Sequence, residues 1–184
     1  MSEPSAQLCQ QAQAGDREAA SALVKQHYAK LFAWFRRLCG QEGEAADLTQ
    51  KTFCQAWSSL DSYQGRSSFS TWLHAIGYHV YLDWRRRHQE PVHPGDEWWL
   101  NCPGEGLSPF ETLVDRDLAG QLYGWVEELA EETRQTVHLH YYQGLSLAET
   151  AEVLGVATST VKYRLREAIE WLKSRAAEPK TRFR

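Results

Sequence analysis

Between Ser159 and Arg166 the chain carries two hydroxyls, Ser159 and Thr160, followed after Val161 by Lys162, Tyr163, Arg164 and Arg166. On a helix, hydroxyls with ammonium and guanidinium groups one turn later form a donor set suited to phosphate oxygens and base edges in a major groove. The preceding residues show how such a helix is held. Gly144 to Ala168 reads as two short helices broken by a tight turn. Ser146 with Glu149 three residues on is a capping box, in which hydroxyl and carboxylate satisfy backbone donors reciprocally. Leu147, Ala151 and Leu154 give the first helix one apolar face. Gly155 supplies the turn and Val156 fills the angle. Thr158 is the expected N-cap of the second helix, whose Val161, Leu165, Ala168 and Ile169 should point inward. The six polar and aromatic groups are left facing outward.

Catalytic chemistry finds little support. His138 and His140 are two apart, on different faces of a helix, unlike the i, i+4 pair of a metalloprotease. No glycine-rich phosphate loop, nucleophile elbow or CxxC pair occurs, and Cys9, Cys39, Cys54 and Cys102 are too scattered for a disulfide framework or zinc knuckle. The expectation is therefore a chain that is not an enzyme, with no catalytic residues, no metal and no cofactor. A thiol- or metal-based sensor with DNA binding as its output stays open as an alternative.

The charge of −4 looks unsuited to nucleic acid until it is divided along the chain: residues 1–88 carry +2, residues 89–156 carry −11 and residues 157–184 carry +5. Attraction to phosphate is thus local, in the helix just described and its tail and in Arg85, Arg86 and Arg87. Charged residues at 24% and hydrophobic ones at 42% are ordinary for a globular chain. No apolar run reaches membrane-spanning length, and MSEPSAQLCQ lacks the basic-then-apolar order of a secretory signal, so a cytoplasmic location is expected.

The elements that must position these groups are nearly all helical. Ala20, Leu23, Val24, Tyr28, Leu31, Phe32, Phe35 and Leu38 keep helical spacing until Gly40. A second helix spans Ala45 to Trp57, with Leu48, Phe53 and Ala56 inward. After a polar loop from Ser58 to Ser68, a third helix runs from Phe69 to His88 on a stripe of Phe69, Trp72, Leu73, Ile76 and Val80. Gln89 to Pro109, with four prolines and three glycines, reads as a linker. Helices resume near Phe110, and Glu131 to Tyr142 precedes the two-helix motif. The expected fold is all-α, with one small helical domain over 1–88, a flexible acidic linker over 89–109 and a second domain over 110–184.

Two ordered sets of residues flanking that linker resemble the sigma-70 family of transcription factors, specifically its extracytoplasmic-function group. The first set is Asp47-Leu48-Thr49-Gln50-Lys51-Thr52-Phe53, Trp57, Phe69-Ser70-Thr71-Trp72-Leu73, Ile76, and Asp83 with Arg86 and Arg87. The second is Leu129, Arg134, Leu139, Tyr142, Gly144-Leu145-Ser146, Ala148-Glu149, Ala151, Leu154-Gly155-Val156, and Thr160-Val161-Lys162 with Arg164-Leu165. The resemblance spans Ala14 to Arg175.

That resemblance implies an RNA polymerase subunit whose partners are core polymerase, promoter DNA and an anti-sigma factor that clamps its two domains. It does not imply membrane insertion. Asp47, Gln50 and Lys51 would contact the polymerase clamp, and they share one helix face at i, i+3 and i+4, opposite Leu48, Thr52 and Ala56. Tyr63, Gln64, Arg66, Ser67 and Ser68 would rim a pocket for a base flipped from the downstream promoter element. Tyr78, His79, Tyr81, Arg85 and Arg86 would line the melted strand, while Trp57 and Trp72 belong to the core. Ser159, Thr160, Lys162, Tyr163, Arg164 and Arg166 would read the upstream element, with Arg134 on the backbone. The acidic linker, with Asp96, Glu97, Trp98, Trp99 and Glu105, would thread the polymerase cleft toward the RNA exit path, or act as a plain spacer.

Four positions depart from the family pattern. His79 stands where asparagine is usual, Tyr78 where arginine is frequent, Tyr163 where serine is common and Glu167 where a basic residue is common. The nearest basic partner for Glu167 along its helix is Arg164. A stand-alone dimeric helix-turn-helix regulator is the other alternative, and it leaves the N-terminal domain and linker without a role.

Overall fold

The computed structural model describes residues 3–88 and 116–177. These residues form two compact helical units, with no strand among them. The expected linker, residues 89–109, lies outside the described residues, as do its Asp96, Glu97, Trp98, Trp99 and Glu105 and the expected helix start at Phe110. No helix among the described residues is long and apolar enough to cross a membrane.

The N-terminal unit contains α1 (Glu3–Gln13), α2 (Arg17–Cys39), α3 (Glu42–Ser58) and α4 (Phe69–Arg87). The periodicity of the sequence points to the last three and not to α1, whose residues EPSAQLCQQAQ are mostly polar. Asp16 caps α2, its carboxylate accepting from the Glu18 and Ala19 amides at 2.8 and 3.2 Å. Gly40, at φ +69°, ends it in the left-handed conformation that glycine adopts without a Cβ penalty. Ser68 caps α4, accepting from the Thr71 amide at 3.1 Å, and Arg85, Arg86 and Arg87 complement the dipole in its last turn.

Leu23, Leu31, Trp34, Phe35, Leu48, Phe69 and Leu73 are fully or almost fully buried and form the core of this unit. A train of rings runs Tyr28, Phe53, Trp57, Phe69 and Trp72, with neighbouring centroids 5.7 to 6.4 Å apart. The inward stripe of α4 differs from the expected one. Thr71, His74, Gly77, Tyr81 and Trp84 are buried, whereas Trp72 and Ile76 are only half-buried. Gly77 causes the shift, because α2 packs so close to it that Trp34, Phe35 and Leu31 occupy the space beside its backbone. Trp84 then ties α4 to α3 through a 2.6 Å hydrogen bond from its indole to Glu44.

The C-terminal unit contains α5 (Arg116–Glu127), α6 (Glu131–Val137), a π-helical turn (His138–Tyr142), α7 (Leu147–Leu154) and α8 (Thr158–Ala177). Val126, Leu129, Val137, Ala151, Val161, Leu165 and Ala168 are its buried centre, against which Tyr142, Leu147, Val156 and Trp171 pack. Ile169, expected inward, is 38% exposed, since it lies beyond the arc of α8 that faces this centre.

Candidate nucleic-acid interface

The capping box at the start of α7 is formed in both directions. The Ser146 amide donates to the Glu149 carboxylate at 2.9 Å, and the Glu149 amide donates to the Ser146 hydroxyl at 3.2 Å. Gly155 turns the chain at φ +65°, and the Val156 amide returns to the Ala151 carbonyl at 3.1 Å. Thr158 is the first residue of α8 and not its cap, because the preceding Ala157 carbonyl already accepts from the Val161 amide.

On α8, Ser159, Lys162, Tyr163 and Arg166 are exposed, and the Arg166 guanidinium lies 5.7 Å from the centre of the Tyr163 ring. Thr160 is half-buried. Arg164 is drawn back across the unit, its side chain 15% exposed and ion-paired with Glu132 of α6. Glu167, expected to pair with Arg164, accepts instead from the Thr133 hydroxyl at 3.2 Å. An i, i+3 pairing thus gives way to contacts between helices, which periodicity along one helix cannot reveal.

Arg134 is anchored in a half-buried polar network. It donates to the Glu127 carbonyl at 2.9 Å and pairs with the Glu127 and Glu131 carboxylates. His138, fully buried, meets Glu127 through Nε2 at 3.1 Å, while His140 is directed to the Leu145 carbonyl, so the two histidines serve separate partners. Burial alone would raise the Glu127 carboxyl. The hydrogen bond and charge of His138, the Tyr123 hydroxyl and Arg134 outweigh burial and hold the carboxyl below its usual 4.5. A carboxyl depressed in the fold contributes stability above its unfolded value, and that stability is lost as pH falls through the folded value. Glu127→Gln is therefore expected to lower unfolding stability by about 1–3 kcal/mol at pH 7. The gap from the parent should close below pH 4.5, as read by urea titration at both pH values.

In the N-terminal unit the loop between α3 and α4 opens with a 3-10 turn, Leu60–Ser62. Gln64 and Arg66 are exposed on either side of Gly65, which sits at φ +68°. Ser67 is half-buried. Tyr63 and Ser68 shape the loop: the Tyr63 hydroxyl donates to the Ser67 carbonyl at 2.8 Å, its ring packs on Phe69 and Trp72, and the Ser68 hydroxyl is engaged in capping α4. Burial, followed by the nearby Cys9, raises the Tyr63 hydroxyl above its usual pKa, so it remains a donor. A cavity of about 240 Å³ lies behind the loop, walled by Ser5, Gln26, His27, Lys30, Tyr63, Ser68 and Ser70 among others. The enclosed His27 is pushed down to about 4 by burial, with the charges of His74 and Lys30 adding to it, and it enters the cavity neutral.

Along α4, His79, Arg85 and Arg86 are exposed and Tyr78 is half-buried, with Arg86 paired to Asp83. Tyr81, expected to line a strand, is 2% exposed and belongs to the core, one turn from the buried Gly77. On α3, Asp47, Gln50 and Lys51 form an exposed polar stripe that continues to Cys54. The opposite face holds Leu48, Thr49, Thr52, Phe53 and Ala56, with the Thr49 and Thr52 hydroxyls donating 2.7 Å bonds to the Ala45 and Leu48 carbonyls.

Sigma-70 region 2 matches residues 23–90, which hold most of α2 and all of α3 and α4, and Sigma-70 region 4 matches residues 120–172, which hold the capped two-helix motif. The chain belongs to the sigma-70 family. The extracytoplasmic-function sigma factor SigE of Mycolicibacterium smegmatis is 32% identical over 157 residues, 85% of this chain and 61% of that protein. SigW of Bacillus subtilis, of the same group, is 27% identical over 172 residues, 89% of this chain and 91% of that protein. Among solved structures, the sigma factor RpoE in complex with the anti-sigma factor NepR from Bartonella quintana superposes with a TM-score of 0.62 at 21% identity, over 86% of this chain and 98% of that one, a likeness of fold. The chain is a sigma-70 family member of the extracytoplasmic-function group. In this member α1 lies wholly outside the region 2 span, and sequence periodicity gives no sign of it. Gln13, Glu132 and the Glu127–His138 pair likewise escape a reading of local pattern, because their partners lie on other elements.

Proposed function

We propose that the chain is a promoter-specificity subunit of RNA polymerase, recruiting the core enzyme to particular promoters and helping to open them, in the cytoplasm and under an anti-sigma factor. The observation that carries this reading is the pairing, in one chain of the sigma-70 family, of an exposed polar stripe on α3 with a capped helix-turn-helix presenting Lys162, Tyr163 and Arg166. In this reading Asp47, Gln50 and Lys51 dock on the polymerase clamp. Gln64, Arg66 and Ser67, in a loop shaped by Tyr63 and Ser68, receive a base as the downstream element opens. Tyr78, His79, Arg85 and Arg86 follow the separated strand.

Ser159, Thr160, Lys162, Tyr163 and Arg166 engage the upstream element, with Arg164 and Arg134 held against carboxylates in the absence of DNA. The role is regulatory, with the chemistry of RNA synthesis left to the polymerase. Complexes of sigma factors with anti-sigma factors, such as that of RpoE with NepR, support a repressing partner of this kind for the present chain.

The test is in-vitro transcription from a genomic promoter pool with core polymerase, with and without the protein. New start sites sharing two spaced sequence elements are expected only when both are present. Operator binding by the chain alone, with no initiation dependent on it, would overturn the assignment.

A further inference from the structure

We propose that Gln13, at the end of α1, is a positioning residue for base capture, acting through the loop that joins α3 to α4. This rests on the assignment of that loop to the flipped base. The Gln13 side-chain amide donates to two loop carbonyls at once, Leu60 and Tyr63, each at 2.9 Å and across 47 and 50 residues of sequence. These two bonds tie the loop to α1, which no backbone bond within the turn can do. The Leu60 carbonyl also accepts from the Tyr63 amide, so one side chain grips both ends of the turn from which the loop departs.

Gln13 is itself fixed in place. The Gly15 and Asp16 amides close the end of α1 onto Ala12 and Gln11, Gly15 turns the chain at φ +91°, and Asp16 caps α2. Beyond the grip, the Tyr63 hydroxyl bonds the Ser67 carbonyl and the Ser68 hydroxyl caps α4. Gln64 and Arg66 thus project from a segment held at its start by α1 and at its end by α4. A loop that is ordered before its ligand arrives avoids the conformational entropy cost of ordering on capture. Gln13 contacts no base in this scheme and makes that order possible from a helix outside the span matched by region 2.

The chemistry separates donor from shape. Gln13→Glu keeps the size of the side chain and removes the donor, placing an anion against two carbonyls, whereas Gln13→Lys removes the acceptor and keeps a donor able to reach both. The probe is the holoenzyme, assembled from core polymerase and each full-length variant. It is bound to a single-stranded oligonucleotide carrying the non-template downstream element found by start-site mapping, and to the same strand with the captured base made abasic. The ratio of the two affinities measures base capture and does not change with core binding.

Gln13→Glu is expected to lower that ratio by about tenfold while Gln13→Lys retains it. An undiminished ratio in Gln13→Glu, or an equal fall in both variants, would overturn the inference. Gln64→Ala/Arg66→Ala serves as the reference. If it too leaves the ratio intact, base capture by this loop is wrong. If it lowers the ratio and Gln13→Glu does not, only the positioning role is wrong.

Discussion

Gly77→Val should unfold the N-terminal unit well below the melting temperature of the parent. A Cβ built at Gly77 would lie 3.0 Å from Trp34 Cζ3, 3.2 Å from Phe35 Cζ and 3.4 Å from Leu31 Cδ1. None of these atoms has room to retreat, because Trp34, Phe35 and Leu31 are all 0% exposed and Trp34 is itself in ring contact with His74. Glycine in a helix interior costs about 1 kcal/mol relative to alanine, so its presence in α4 reflects the close approach of α2. Valine adds two further methyl groups where one carbon is already too close, an overpacking expected to cost about 3 kcal/mol. For a unit of this size that is a fall of roughly 15 °C in the transition read by circular dichroism. Gly77→Ala gains helix propensity and meets the same three atoms, so it should fall between the two. A valine variant that melts with the parent would show that α2 can yield here.

Loss of function without loss of fold is the expected result for Asp47→Ala/Gln50→Ala. Both side chains are exposed on α3 while Leu48, Thr49, Thr52 and Phe53 hold its other face, so the substitutions leave the packing untouched and slightly favour the helix. If this stripe docks on core polymerase, two polar anchors at the centre of an interface are removed together, at a cost of about 2–4 kcal/mol. Apparent affinity for core then falls roughly 30- to 1000-fold. Titration of labelled core, with transcription at sub-saturating protein, reads the effect directly. Parental affinity in the double variant would move the docking surface elsewhere.

How far the sequence foretold these results depends on the distance between partners. The Ser146–Glu149 box, the Gly155 turn and the polar stripe of Asp47, Gln50 and Lys51 rest on neighbours within one turn, and all are present as read. The breaks at Gly40 and Ser68 likewise announce the end of α2 and the start of α4. What escaped is held by other elements. α1 has little apolar periodicity of its own, and its role appears only when Gln13 meets carbonyls on the far side of two helices. Arg164 leaves the outward set because Glu132 reaches it across 32 residues, and Tyr81 becomes core because a glycine one turn earlier lets α2 come close. The family was more legible than the contacts, since the motifs that mark it lie in local runs.

The wide turn at His138–Tyr142 sets the phase of everything after it. The Gln143 amide reaches back to the His138 carbonyl at 3.0 Å, five residues away, where an α-helix would return after four. Each residue of an α-helix rotates the chain by about 100°. Deleting one residue here would let the wide turn close into regular helix and swing the following motif around the axis of α6, carrying the basic stripe of α8 to another bearing. Between Glu131 and Gln143, then, the number of residues is constrained more tightly than their identities on the outer face. Exchanges there are tolerable, while insertions and deletions misaim the reading head.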